Sequence, residues 1–339
     1  MTSRRSSDGP TIDIHCHVMS VEAQEQIRSL FSVENDAVAR FSSPATVAVN
    51  QALLSRITPK LVEPAVRLRD MDRMGVDIQA ISVAPPQFFY WADRDAGARV
   101  ARIENDNLAR IVDGCPDRFV ALGTLPLQDV EAAIAELDRI VDELGFRGIE
   151  VCTSVNGEDF DDAKFEPLLA RLEQRDLFVL MHPSGFWHGE RLDDFYLINT
   201  VGMPLDSTVA VARMIFGGVL ERFRKLKVCV VHGGGYVPFY PARFDHAYHA
   251  RADCREHITR PPSSFLRQLH FDTMVYDPHD VGLLISRYGA EHVLLGSDYP
   301  YDMGAEDPVG VVMAVDGLDE QDRALVLGGN AARLLKLAP

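Results

Sequence analysis

Cysteine is scarce in this chain. Its five cysteines, Cys16, Cys115, Cys152, Cys229 and Cys254, form no CxxC pair, which excludes a disulfide scaffold. Reduced thiols and a cytoplasmic location are the expectation. Positive charge is also in deficit, with 34 Lys and Arg against 50 Asp and Glu, a net charge of −16. That field excludes nucleic acid and anionic membranes as partners through long-range attraction. A small anionic substrate would need arginines placed locally in its pocket. No stretch approaches the roughly 20 apolar residues of a membrane span. Residues 1–10 carry basic charge but no following apolar segment, so Arg4-Arg5 alone is a weak export signal. Internal repeats and low-complexity segments are absent as well.

What is present is a 339-residue chain, 47% hydrophobic and 25% charged, enough to bury a substantial core. Eight short apolar or β-branched runs recur at 11–17, 78–85, 119–125, 148–153, 177–182, 227–232, 270–276 and 292–298. They are apolar almost throughout rather than alternating, as expected of strands covered on both faces. Helical spacing separates most of them, at 95–115, 129–144, 161–175, 205–224, 280–288 and 319–337. Strand–helix alternation repeated eight times predicts an α/β fold, a (β/α)₈ TIM-like barrel spanning 1–339 as a single domain. An open doubly wound sheet would carry a Gly-rich phosphate turn after its first strand, where His-Cys-His stands instead. The long connection 18–69, with a Ser/Pro patch at 42–44 and an apolar helical stretch near 45–57, is expected as a small insertion over the barrel mouth.

Four of the runs end in metal-ligand residue types: Ile-Asp-Ile-His15-Cys-His17, Val-Leu-Met-His182-Pro, Val-Val-His232-Gly-Gly-Gly and Gly-Ser-Asp298-Tyr-Pro. In a parallel barrel, functional groups project from the C-terminal strand ends, so residues distant in sequence can meet at one ion. His15 and His17 are two apart and share a strand face. A lone His-x-His is common by chance, and its weight comes from the other three strand ends. His182 would be a third nitrogen ligand. Asp298 could complete the shell or take a proton; a helix N-cap is its plain alternative, and its place on the eighth strand, opposite the first, favours the ligand. His232 could be a fourth nitrogen ligand, but the acid/base role fits it better. The fourth strand has no lysine to bridge two ions, and Glu150 is the one candidate bridge, so one metal is expected. Zinc and manganese both accept such a donor set. His188 lies near enough to His182 to line the mouth, and Arg243 and Arg56 are candidate carboxylate anchors, each with a surface salt bridge as its plain alternative.

These segments together resemble the amidohydrolase superfamily, and within it the aminocarboxymuconate semialdehyde decarboxylase-related branch. The likeness runs from Ile-Asp-Ile-His to the tail at Gly328. It also rests on His232-Gly-Gly-Gly, Gly296-Ser-Asp-Tyr-Pro, Arg260-Pro-Pro-Ser and the region 63–77. The resemblance implies a single zinc held by His15, His17, His182 and Asp298, with His232 activating the water on it. It implies a homodimer in which Arg243 crosses to a substrate carboxylate, with Arg56 the nearest match to a second arginine. The activity it implies is non-oxidative decarboxylation of an unsaturated or aromatic acid. Hydrolysis or hydration by the same site is the competing reaction, and a non-catalytic barrel the third possibility. The sequence departs after His182-Pro183, where Ser184 replaces the tryptophan of the decarboxylase it resembles, leaving the substrate open.

Overall fold

The computed structural model describes residues 9–337; Arg4-Arg5 lies outside them. Eight strands run parallel in the order of the chain: β1 (Ile12–Val18), β2 (Ile78–Val83), β3 (Phe119–Gly123), β4 (Gly148–Cys152), β5 (Phe178–His182), β6 (Lys227–Val230), β7 (Leu269–Asp272) and β8 (Val293–Leu294). The barrel closes where Ile14 N–H donates to the Leu295 carbonyl at 3.0 Å and His17 N–H to that of Tyr299 at 2.8 Å. Sequential order with closure is the barrel topology, and it excludes the doubly wound sheet.

The last three strands are shorter than the apolar runs that announce them. β6, β7 and β8 stop early because the chain leaves the ladder to present side chains at the barrel's end. After β8, the N–H groups of Ser297 and Asp298 both turn back to the His15 carbonyl, at 3.3 and 2.8 Å. After β6, His232 and the three glycines take left-handed backbone.

Inside the barrel, Ile12 and Ile14 cluster with Ala80, Leu122, Phe178, Leu180 and Cys229, closed below by Ala331 and Leu334 of the C-terminal helix. A second apolar layer fills the space between the strands and the surrounding helices. Strict alternation would place His15 and His17 on the opposite face from Ile12 and Ile14. The register slips between Asp13 and Cys16, and this irregularity lets both pairs face the interior. The connection 18–69 folds as short helices followed by the longer Pro44–Val62, and Pro64–Met74 leads into β2. Arg67 anchors this segment from within: fully buried, it donates to the His17 and Lys60 carbonyls and to Gln79.

Candidate metal centre

Four side chains meet at the C-terminal end of the strands. His15 and His17 come from β1, His182 is the last residue of β5, and Asp298 sits in the turn after β8. One ligand atom from each lies within 4.8 Å of all the others. The imidazole centroids are 5.2 Å apart for His15–His17 and 5.0 Å for each of their pairs with His182. Asp298 Oδ1 lies 3.5 Å from His15 Nε2 and 3.3 Å from His17 Nε2.

Each ring is oriented from behind. His15 Nδ1 lies 2.6 Å from Asp272 Oδ2, with both residues fully buried. His17 Nδ1 faces the Val83 carbonyl at 3.3 Å, and His182 Nδ1 that of Pro183 at 2.6 Å. Carbonyl and carboxylate oxygens accept, so Nδ1 carries the hydrogen and Nε2 presents its lone pair. All three Nε2 atoms are buried without a hydrogen-bond partner. Orphaned buried polar atoms are costly and rare. Three of them converging beside a carboxylate form a donor set that fits a borderline divalent cation.

The electrostatics suit that fit. Burial opposes ionisation of Asp298, but His15, His17 and His232 outweigh it and hold the carboxyl well below its ordinary range. Burial, helped by the neighbouring imidazoles, keeps His182 neutral far below its usual range. His17 is also penalised by burial, yet Asp298 and Glu150 raise it. Glu150, fully buried, stands 3.8 Å from His17 Nδ1, on the side of the ring away from the cluster. Burial lifts its carboxyl to about 7 despite His17.

His232 stands beside the four. Its Nε2 is 3.7 Å from Asp298 Oδ2, and its Nδ1 is buried and unpaired. Both His232 and Asp298 have left-handed backbone, with φ of 55° and 54°, strain of a kind that clusters at functional sites. The glycines after His232 are needed: a Cβ on Gly233 would meet Val275 Cγ1 at 2.3 Å, and one on Gly234 would meet Phe271 at 2.6 Å. Asp272 clamps this turn too, its Oδ1 accepting the Gly233 N–H at 2.8 Å. One carboxylate thereby sets both His15 and the turn that carries His232.

The cluster opens into a cavity of about 300 Å³. Its walls come partly from the first insertion, through Asp36, Val38, Val47, Asn50, Leu53 and Leu54, and partly from Ser184, Tyr196, Asn199 and Tyr301. A second chamber of about 270 Å³, containing Tyr236, Phe239 and Tyr276, shares His232, Asp298 and Met203 with the first. Among the described residues, no Lys or Arg lines either chamber. Arg56 on the helix Pro44–Val62 and Arg243 on the helix Pro241–Ala250 are both exposed and line neither chamber. His188 is exposed and packs on Phe186 rather than lining the cavity. Sequence reasoning missed Asp272, Asp13 and Tyr196. Asp272 was detectable as a carboxylate at a strand end. Asp13, which accepts from the Ser297 N–H and hydroxyl at 3.0 and 2.5 Å and from Gln79 at 3.0 Å, reads in sequence only as a polar break in an apolar run.

Residues 12–337 match the model of the Amidohydrolase family Amidohydro_2. The chain belongs to this family. Within it, the aminocarboxymuconate semialdehyde decarboxylase-related branch is the chain's place. The 2-amino-3-carboxymuconate-6-semialdehyde decarboxylase of Dictyostelium discoideum is 32% identical, covering 97% of this chain and 92% of its own. The gamma-resorcylate decarboxylase of Rhizobium sp. is 27% identical, covering 80% of this chain and 86% of its own. A 2-keto-4-carboxy-3-hexenedioate hydratase from Sphingobium sp. is 26% identical, covering 80% and 81%. Among solved structures, 5-carboxyvanillate decarboxylase from Sphingomonas paucimobilis superposes with a TM-score of 0.85 at 26% identity, covering 97% of this chain and 99% of its own. Dihydroxybenzoic acid decarboxylase from Polaromonas sp., solved with bound manganese, shares the fold with a TM-score of 0.81 at 22% identity and 97% coverage of both chains. No described helix is long and apolar enough to cross a membrane.

Proposed function

We propose that this chain is a metal-dependent, non-oxidative decarboxylase of an unsaturated or aromatic carboxylic acid. The observation that carries the reading is the convergence of three unpartnered Nε2 atoms on Asp298, beside His232 and a cavity of about 300 Å³. The decarboxylases among its relatives support the reaction type. His15, His17, His182 and Asp298 would hold one divalent ion, zinc by donor chemistry, with manganese compatible with the same set. Bound there, the ion supplies a Lewis acid that polarises and orients a substrate oxygen.

The chain's own residues do the rest. His232 is the acid/base group and delivers a proton to the carbon bearing the carboxylate. The bond between that carbon and the carboxylate breaks, its electron pair takes the proton, and carbon dioxide leaves. Asp298 Oδ2, 3.7 Å from His232 Nε2, sets an anionic neighbour beside it. The aliphatic wall of Val38, Val47 and Leu53 excludes water from the ring. Arg243 and Arg56 are assigned to carboxylate anchoring; since both are exposed in one chain, Arg243 is assigned to the cavity of a second copy in a homodimer. Five free thiols support a reducing, cytoplasmic setting.

The test is His232→Ala: metal is retained while turnover falls roughly a hundredfold or more. A near-normal rate would remove His232 from the mechanism. The hydratase among the relatives favours a second reading, hydrolysis or hydration at the same site. Product analysis separates the two, since decarboxylation releases carbon dioxide and hydration incorporates oxygen from water.

A further inference from the structure

Before the helix Met203–Phe216, the chain takes two consecutive left-handed residues without glycine. Phe195 has φ of 58° and Tyr196 of 59°. The left-handed region is sterically disfavoured, and a bulky residue there is an outlier. The turn is pinned by the Tyr196 carbonyl, which accepts from the N–H groups of Asn199 and Thr200 at 3.0 and 3.1 Å and from the Thr200 hydroxyl at 3.3 Å. The two side chains part. Phe195 is 86% exposed, while the phenol of Tyr196 lines the cavity. Local packing does not account for the arrangement, because an exposed phenylalanine gains little from it. The turn places Tyr196 on the cavity wall.

The hydroxyl of Tyr196 has no hydrogen-bond partner among the described residues, although its carbonyl is engaged threefold. Burial, with Asp302 and Asp298 adding to it, pushes the phenol far above its ordinary range, so it remains a donor at any working pH. The other phenol of the wall, Tyr301, packs its ring edge-on against His17 at 5.6 Å. Among the described residues, no Lys or Arg lines the cavity. An acid entering it therefore meets hydroxyl, amide and imidazole groups on the described wall rather than an ammonium or guanidinium.

We propose that the Tyr196 hydroxyl donates to a carboxylate oxygen of the substrate and so takes part in recognising the acid group. This rests on the decarboxylase reading for the identity of the substrate, but not for the contact itself. Tyr196 is a specificity residue here; His232 keeps the proton transfer.

The experiment uses the manganese-loaded protein and compares wild type with Tyr196→Phe by calorimetry. Two probes are used: benzoate, and phenol as a ring without the carboxylate. Hydrogen bonds to charged groups are worth enough that the benzoate Kd should rise roughly tenfold or more, while the phenol Kd stays within about twofold. Tyr196→Gly relieves the left-handed backbone and should lose benzoate as much as Tyr196→Phe, which separates the hydroxyl from loop distortion. Equal losses for both probes, no loss for either, or no benzoate binding by the wild type overturns the proposal. If benzoate binding depends on Tyr196 but no acid yields carbon dioxide, the decarboxylase reading fails and this contact stands. If carbon dioxide is released and Tyr196→Phe changes neither KM nor benzoate affinity, this contact fails alone.

Discussion

Asp272 does at the residue scale what the histidines cannot do for themselves. Its Oδ2 fixes His15 at 2.6 Å and its Oδ1 holds the Gly233 N–H at 2.8 Å. Outer partners of this kind govern ligand basicity and ring orientation. Asp272→Asn should therefore weaken metal affinity about 10–100-fold, read by competitive chelator titration; unchanged affinity would remove Asp272 from the site. Asp206 offers a second residue-scale test, away from the metal cluster. It is buried, accepts from the Thr153 hydroxyl, and burial raises its carboxyl to about 7. An unfolded aspartate titrates near ~3.9, so its folded pKa is raised. Its contribution is then fully present below about pH 4 and is lost as pH rises through about 7. Asp206→Asn should be flat across that window, and the stability of the wild type should fall against it by an amount on the order of a few kcal/mol. Urea unfolding of both proteins at pH 5 and pH 8 reads the difference; a constant gap would show that Asp206 does not titrate there.

Single elements depend on how closely their turns approach the cluster. Gly296 carries β8 into the Asp298 turn, and a Cβ there would lie 3.0 Å from His15 Cβ and 3.1 Å from Asp272 Cβ. Gly296→Ala should cost about 1–3 kcal/mol in stability by overpacking. It should also weaken metal binding because, of the two neighbours it presses, His15 belongs to the cluster and Asp272 orients it. Denaturant titration with and without metal checks this, and a silent substitution would contradict the close approach. Phe195→Gly acts in the opposite direction. It relieves one left-handed residue at the cost of chain entropy, for a net gain of about 0.5–1 kcal/mol, visible as a melting rise of about 1 °C. Local patterns in the sequence revealed much of this scale. The helix Arg94–Gly114 and the strand Gly148–Cys152 lie where spacing and apolar runs put them. The slip in β1 was not legible, because an alternating reading treats His15 and His17 as one face without asking which face Ile12 and Ile14 occupy. The early ends of β7 and β8 were hidden for a related reason. Apolar residues continue past the point where the backbone leaves the ladder, so composition cannot mark the exit.

For the whole molecule, the barrel and the cluster of His15, His17, His182 and Asp298 were legible together. Strand count fixes the topology, and topology brings the strand ends to one place. The cavity was not legible. Its walls come from left-handed turns and from the first insertion, where Asp36, Asn50 and Leu54 reach the same space as Tyr196 and Tyr301. Such loops are placed by long-range contacts that no local pattern encodes. The same separation explains the arginines: Arg56 and Arg243 read as anchors by residue type, but within one chain both lie on the surface. If a second copy supplies Arg243, Arg243→Ala should raise KM without dissociating metal, and sedimentation should find a dimer. A centre assembled from strands β1 and β5 and the turn after β8 should also couple metal to folding. Manganese or zinc at a hundredfold excess over Kd should stabilise the protein by about 2.7 kcal/mol.

The measurement that bears most directly on the central claim is elemental analysis of protein purified without added metal, beside the double variant His15→Ala/His17→Ala. About one zinc or manganese per chain, lost in the variant, is the predicted result. About two would indicate a binuclear site, and no metal in the wild type, with none taken up on reconstitution, would contradict the account.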